Sequence, residues 1–153
     1  MHTAMKYLTY SARTVREMER HLDDCQYGEV EVYETVERLK ELNLLNDTQY
    51  AEDFIRTRLS SKPVSRAHLK EQLRQHELPE DILEEALLAV DDKTEAENAY
   101  LVVKKYMEQL EKLPTEERSR KVIQRAISRG FGYGDVRRAL ERYREETPEG
   151  TDA

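Results

Sequence analysis

One apolar template occurs three times along this chain, and that repetition limits the fold more than any other feature. The stretch from Leu69 to Leu87 overlays that from Val122 to Leu140 at an offset of 53 residues. The overlay pairs Leu69 with Val122, Leu73 with Ala126, Leu78 with Phe131, Leu83 with Val136, Ala86 with Ala139 and Leu87 with Leu140. At an offset of 51, Met18, Leu22, Tyr27, Val32, Thr35 and Val36 join the same register. The spacing is that of two helices joined by a turn, with a central apolar residue (Tyr27, Leu78 or Phe131) expected to plug the corner. Ahead of each copy stands a further helical trio: Ala4 with Tyr7 and Leu8, Ala51 with Phe54 and Ile55, and Ala99 with Val102 and Val103. The repeating unit is therefore three helices, and the expected divisions are 1–46, 47–92 and 93–146, with 147–153 a disordered tail.

Start signals recur at equivalent places. Thr14 with Glu17 forms a capping box, Ser65 is the matching cap in the second unit, and Asn46 with Gln49 and Thr94 with Glu97 are candidate boxes for the leading helices. These signals place helices at roughly 2–10, 14–25, 29–43, 47–60, 65–76, 79–90, 94–112, 115–129 and 133–146. The cap equivalent to Asn46 would fall ahead of Met1, so the chain is expected to start inside its first helix, as a shortened form.

Composition agrees with a row of small cores. Charged residues make up 37% and hydrophobic ones 38%, against roughly 25% and 45–50% in an average globular protein. Such a supply suits narrow stripes on many helices better than one large central core. There are five Gly, none between Gly28 and Gly130, which is too little punctuation for an all-β fold. A single cysteine, Cys25, forbids an intramolecular disulfide and suits a reducing compartment. No apolar run reaches the ~18 residues of a membrane span, and a cytoplasmic protein is the expectation.

No catalytic constellation is legible. His21 and Cys25 stand four apart on one helix beside Asp24, but two ligands without a second pair do not make a structural zinc site. His68 and His76 read as surface residues, and adjacent acids such as Glu84 and Glu85 as solubilising faces. Gly130, Gly132 and Gly134 alternate in a turn that no strand precedes, so GFGYG is a helix corner and not a phosphate cradle. Most of the nine Tyr, including Tyr7, Tyr50 and Tyr100, are expected in the core. The chain reads as a non-enzyme without cofactor, metal or small-molecule substrate.

The central string LLNDTQYAEDFIRTR, from Leu44 to Arg58, resembles the signature of the RecX family, bacterial regulators of the RecA recombinase. Co-linear with it are YSARTVREMERHL from Tyr10, SRAHLKEQLRQHELPEDILEEAL from Ser65 and RKVIQRAISRGFGYGDV from Arg120, the last with the family-like RGF. The resemblance implies a protein that binds RecA and its DNA filament and modulates, mainly by inhibition, ATP hydrolysis, strand exchange and coprotease activity. Where family members often carry Gly at the end of the middle helix, this chain has Gln26 and Glu77, and only Gly130 keeps it. Two non-Gly residues in a left-handed conformation are therefore expected, at about 1 kcal/mol each.

The net charge of −7 is unevenly distributed. Residues 1–46 carry 6 basic against 9 acidic side chains, 47–95 carry 7 against 12, and 96–153 carry 12 against 11. From Arg118 to Arg144 nine basic residues face only Asp135 and Glu141. Arg118, Lys121, Arg125 and Arg129 form one helical stripe, which Arg137 and Arg138 extend on the next helix. Lys62, Arg66, Lys70 and Arg74, four apart throughout, form a second. Like charges at that spacing repel by roughly 0.2–0.5 kcal/mol per pair, so either nearby acids or a partner must offset them. These ten residues are the candidate contacts to RecA or to the phosphate backbone of DNA. The expected architecture is all-α: three tandem three-helix repeats in an elongated, curved, solenoid-like monomer. The rival reading is an autonomous helical DNA-binding module whose direct contact with the DNA backbone is weak.

Overall fold

The computed structural model describes residues 1–148. They form helices α1 (His2–Tyr10), α2 (Val15–Asp24), α3 (Glu29–Glu41), α4 (Asp47–Ser61), α5 (Arg66–Gln75), α6 (Glu80–Leu87), α7 (Asp92–Gln109), α8 (Thr115–Ser128) and α9 (Tyr133–Glu146), with no strand among the described residues. The expected three-by-three order holds. The disordered-tail expectation falls largely on residues 149–153, outside the described part.

Capping chemistry sets the helix starts. The Thr14 hydroxyl accepts from Glu17 N at 3.2 Å while the Glu17 carboxylate accepts from Thr14 N at 3.0 Å, a reciprocal capping box. Ser65 accepts from His68 N at 3.1 Å, and Asn46 from Gln49 N at 3.0 Å. The third leading helix differs from the expectation. Asp91, not Thr94, is its cap and accepts from Thr94 N at 2.8 Å, so α7 begins at Asp92. An aspartate in the pair Asp91–Asp92 competes better for the cap than threonine, whose β-branched side chain is compatible with the first turn.

The corners after the middle helices turn left-handed as the missing glycines require: φ is 68° at Gln26, 61° at Glu77 and 97° at Gly130. Asn43, at 57°, ends α3 in the same way. At the first and third corners the backbone closes a Schellman motif, with Tyr27 N donating to Leu22 O and Phe131 N to Ala126 O. Leu78 and Phe131 are buried beneath their corners, but Tyr27 is 37% exposed and hydrogen-bonds through its hydroxyl to Thr3 Oγ1 at 2.6 Å. A phenol needs a polar partner, and the edge of the corner supplies it.

By internal contacts the chain falls into two compact units, Met1–Arg56 with Lys70–Leu87, and Thr57–Leu69 with the residues from Leu88 on. Helices α4 and α5 are each divided between them. In the first unit Ala4, Met18, Leu22, Val32, Val36, Leu39 and Leu45 make a small core that Tyr7, Leu8 and Val15 flank. In the second, Ala99, Val103, Met107, Val122, Ala126, Phe131, Val136 and Leu140 are among the residues of a larger one. Each fully buried Leu, Val or Met contributes roughly 1.5–3 kcal/mol, so clusters of this size hold local units together. Tyrosine contributes less to these cores than its sequence positions suggest. Only Tyr100 and Tyr143 are buried, while Tyr10, Tyr27, Tyr33 and Tyr133 are exposed.

Candidate functional site

The basic residues on α5 are occupied by acids of the same chain. Arg66 donates to Val90 O at 3.1 Å and to Asp92 Oδ1 at 3.0 Å, and its backbone N–H to Glu95 Oε1 at 3.0 Å. Lys70 lies 3.7 Å from Glu80 and 3.9 Å from Glu84. Arg74 donates to Glu80 at 2.8 Å, a hydrogen bond that holds the Glu80 carboxyl below its usual range and raises Arg74. The stripe's repulsion is thereby offset without a partner molecule. Lys62 does not belong to it: α5 starts at Arg66, and Lys62 stands exposed in the connection after α4. The spacing of four runs in sequence across a helix boundary that Pro63 and the Ser65 cap create.

The stripe on α8 divides differently. Arg118 is only 9% exposed, and its Nε donates to Met107 O at 2.8 Å, with Nη2 on the same carbonyl. It ties α7 to the start of α8 and is not a surface contact; Ser119 beside it is also 9% exposed. Lys121 pairs with Glu117 at 3.5 Å. Arg125 and Arg129 converge on Tyr106, the first with its guanidinium 5.7 Å from the ring centre, the second donating to the hydroxyl at 3.1 Å. On α9, Arg137 lies 3.4 Å from Glu141 and Arg138 2.9 Å from Asp135, with both guanidinium side chains at least two-thirds exposed. Arg125, Arg137 and Arg138 therefore present cationic surface to solvent, and exposed Arg120 adds to it. Arg142 is engaged elsewhere: it stacks 3.6 Å over Tyr100 and bonds Glu97 at 2.8 Å and Glu146 at 3.0 Å.

Sequence reasoning missed a second role of the caps. Besides capping α2, the Thr14 hydroxyl donates to His76 O at 2.7 Å. Ser65 does the same with Arg129 O at 2.6 Å. In both places the acceptor is the carbonyl just before a left-handed corner, and the first backbone N–H of the capped helix finds a carboxylate: Val15 N to Asp47 at 2.9 Å, Arg66 N to Glu95 at 3.0 Å. Burial raises both carboxyl groups above their ordinary values against the lowering effect of those N–H bonds. One junction is thus built twice from equivalent residues. Around the first, His76 Nδ1 lies 3.0 Å from both Glu17 and the Tyr50 hydroxyl, and Arg16 and Arg20 pair with Glu77. His76 is accordingly half-buried, not the surface residue its isolation in sequence suggests. A signal existed: hydroxyl caps and first-turn acids recur at matched positions of the repeats.

Among the described residues no group of His, Cys, Asp or Glu could hold a metal ion. Cys25 is exposed, its sulfur 3.9 Å from His21 Nε2. No described helix is long and apolar enough to cross a membrane.

Known proteins match this arrangement throughout. The family models for the first, second and third three-helix domains of RecX match residues 1–39, 46–87 and 93–140. The regulatory protein RecX of Prosthecochloris aestuarii is 31% identical over 141 residues, covering 92% of this chain and 91% of its own length. That of Streptococcus sanguinis is 31% identical over 90% of this chain, which spans only 53% of that longer relative. The crystal structure of RecX from Lactobacillus salivarius superposes with a TM-score of 0.83 at 26% identity, covering 91% of this chain and 90% of that one. Three domain models matched in order, with a relative 31% identical over 92% of the chain, place this protein in the RecX family of regulatory proteins.

Proposed function

We propose that this chain binds the RecA recombinase on its DNA filament and slows ATP turnover, strand exchange and coprotease activity by occupying surface that incoming duplex or repressor needs. The observation that carries the reading is the cationic surface of α8 and α9, where Arg125, Arg137 and Arg138 stay solvent-facing in a chain of net charge −7. Its exposed ion pairs each contribute little to stability, so these arginines are available to a partner at small cost. Long-range attraction from such a patch speeds encounter with an anionic protein surface or with filament phosphates. The action is by binding, with no chemistry performed on a substrate.

The test is the single-strand-stimulated ATPase of RecA. Wild-type protein should lower it at micromolar concentration or below, and the Arg125→Glu, Arg137→Glu, Arg138→Glu triple variant should need at least about tenfold more. No effect of the wild type at tens of micromolar overturns the reading. A DNA titration in the same assay separates filament binding from sequestration of DNA: inhibition that excess single strand abolishes, with a steep salt dependence, would point to autonomous backbone binding.

A further inference from the structure

In the first unit, α2 and α3 flank a groove of about 410 Å³ lined in part by Val32, Tyr33, Val36, Asp23 and Glu29. Its floor is apolar, since Val32 and Val36 belong to the core beneath. At its lip Tyr33 is 66% exposed, and Val30, one turn earlier on α3, is 68% exposed. Three residues apart on α3, Val30 and Tyr33 lie on the same helical face and set exposed apolar surface beside the groove. Tyrosine in particular supplies broad contact area with few rotamers to freeze.

Charge says what the contact is. Two of the groove's four carboxylates are balanced, Glu19 by Arg16 at 3.9 Å and Glu37 by Lys40 at 3.3 Å. Asp23 and Glu29, by contrast, have no ion-pair partner among the described residues, and neither do Asp24, Glu31 and Glu34 on the same two helices. An anionic surface of this kind repels nucleic acid. It attracts a Lys or Arg whose aliphatic stem can lie on apolar floor while the charged end meets carboxylate or the tyrosine face.

We propose that the α2–α3 groove docks a lysine- or arginine-bearing segment of a protein partner, with the stem on Val32, Val36 and Tyr33 and the charge between Asp23 and Glu29. The site is separate from the arginines of α8 and α9, and it rests on the regulatory reading only for the choice of RecA as the protein that carries the segment.

Two arms test it with the full chain. In the first, isotope-labelled protein is titrated with an oligolysine peptide and followed by amide NMR. Shifts should concentrate on Asp23, Glu29, Val30 and Tyr33. The Asp23→Lys, Glu29→Lys double variant should bind at least about tenfold more weakly, and Tyr33→Ala about threefold, with Tyr33→Phe close to wild type. Shifts spread equally over the acidic residues of α6 would show unspecific attraction and overturn the site. In the second arm the double variant is assayed for binding to RecA filaments, with circular dichroism confirming its fold. At least about a tenfold loss is expected. Wild-type affinity in this variant, alongside loss in the arginine triple variant, overturns the groove and leaves the regulatory reading standing. If the wild type itself fails to bind RecA, the regulatory reading falls and the peptide arm alone decides the groove.

Discussion

Gly130 and Gln26 occupy equivalent corners, yet substitution at each should act in opposite directions. At Gly130, φ is 97° and an added Cβ would lie 2.4 Å from Ser65 Oγ and 3.2 Å from the Ala67 Cβ. Both the backbone conformation and the clash with a hydroxyl already committed to Arg129 O oppose any side chain. Gly130→Ala should therefore cost about 2–4 kcal/mol, the sum of left-handed strain and overpacking. At Gln26, φ is 68° and the side chain is exposed. Gln26→Gly removes about 1–2 kcal/mol of strain and returns roughly 0.5–1 kcal/mol to the entropy of the unfolded chain, leaving a small net gain. Urea unfolding of the two variants checks both signs; a destabilised Gln26→Gly would mean that the corner is not strained. These positions were legible in sequence because a missing glycine at a repeated corner is a visible departure. Arg118 was not. Its spacing of three, four and four with neighbouring cations is what an exposed stripe shows, and only the position of the Met107 carbonyl makes it a buried donor.

At the scale of the helix, the charged residues that matter are those that receive the first N–H of a neighbouring helix. Asp47 accepts from Val15 N while half buried, and desolvation raises its pKa above the ordinary 3.8 more than that hydrogen bond lowers it. An acid whose folded pKa is raised binds its proton more tightly when folded, so the ionised form destabilises the fold at neutral pH and the penalty disappears on acidification. Asp47→Asn keeps a carbonyl oxygen for Val15 N–H and removes the desolvated charge. It should be as stable as wild type or slightly more so at pH 7, and the advantage should close as pH falls through the raised pKa toward 3.8. Thermal unfolding of both proteins across pH 3–7 measures it; an advantage that widened on acidification would refute the assignment. Element existence was well signalled by the threefold register of apolar residues, and helix starts by hydroxyl and amide caps. The start of α7 was not, because Asp91 and Thr94 are both competent caps three residues apart, and the stronger one, Asp91, takes the position. Lys62 failed for a related reason: periodicity of four continues in sequence across a boundary where the helix does not.

For the whole molecule, the division into units assigns the two ends of α5 to different bodies. Ser65, its cap, belongs with the unit that holds Arg129 and Glu95, whereas its last turn leads to His76, whose carbonyl receives Thr14 in the other unit. One ten-residue helix is thus closed at its start by one junction and at its end by the other. A helix this short is marginal alone, so its persistence should depend on both junctions. Thr14→Ala and Ser65→Ala each remove a cap and a buried hydroxyl's bond, at about 1–2 kcal/mol apiece. Hydrogen exchange should show the α5 amides from Leu69 to Gln75 losing protection in both variants. Amides of α2 should lose it only with Thr14→Ala, and those of α8 and α9 only with Ser65→Ala, provided opening remains local. Protection of α5 that fell in one variant alone would mean that a single junction holds it. Equal losses throughout the chain in both variants would mean instead that the two units open only as one, which the sharing of α4 and α5 also permits at higher temperature, so the measurement belongs well below the midpoint of unfolding.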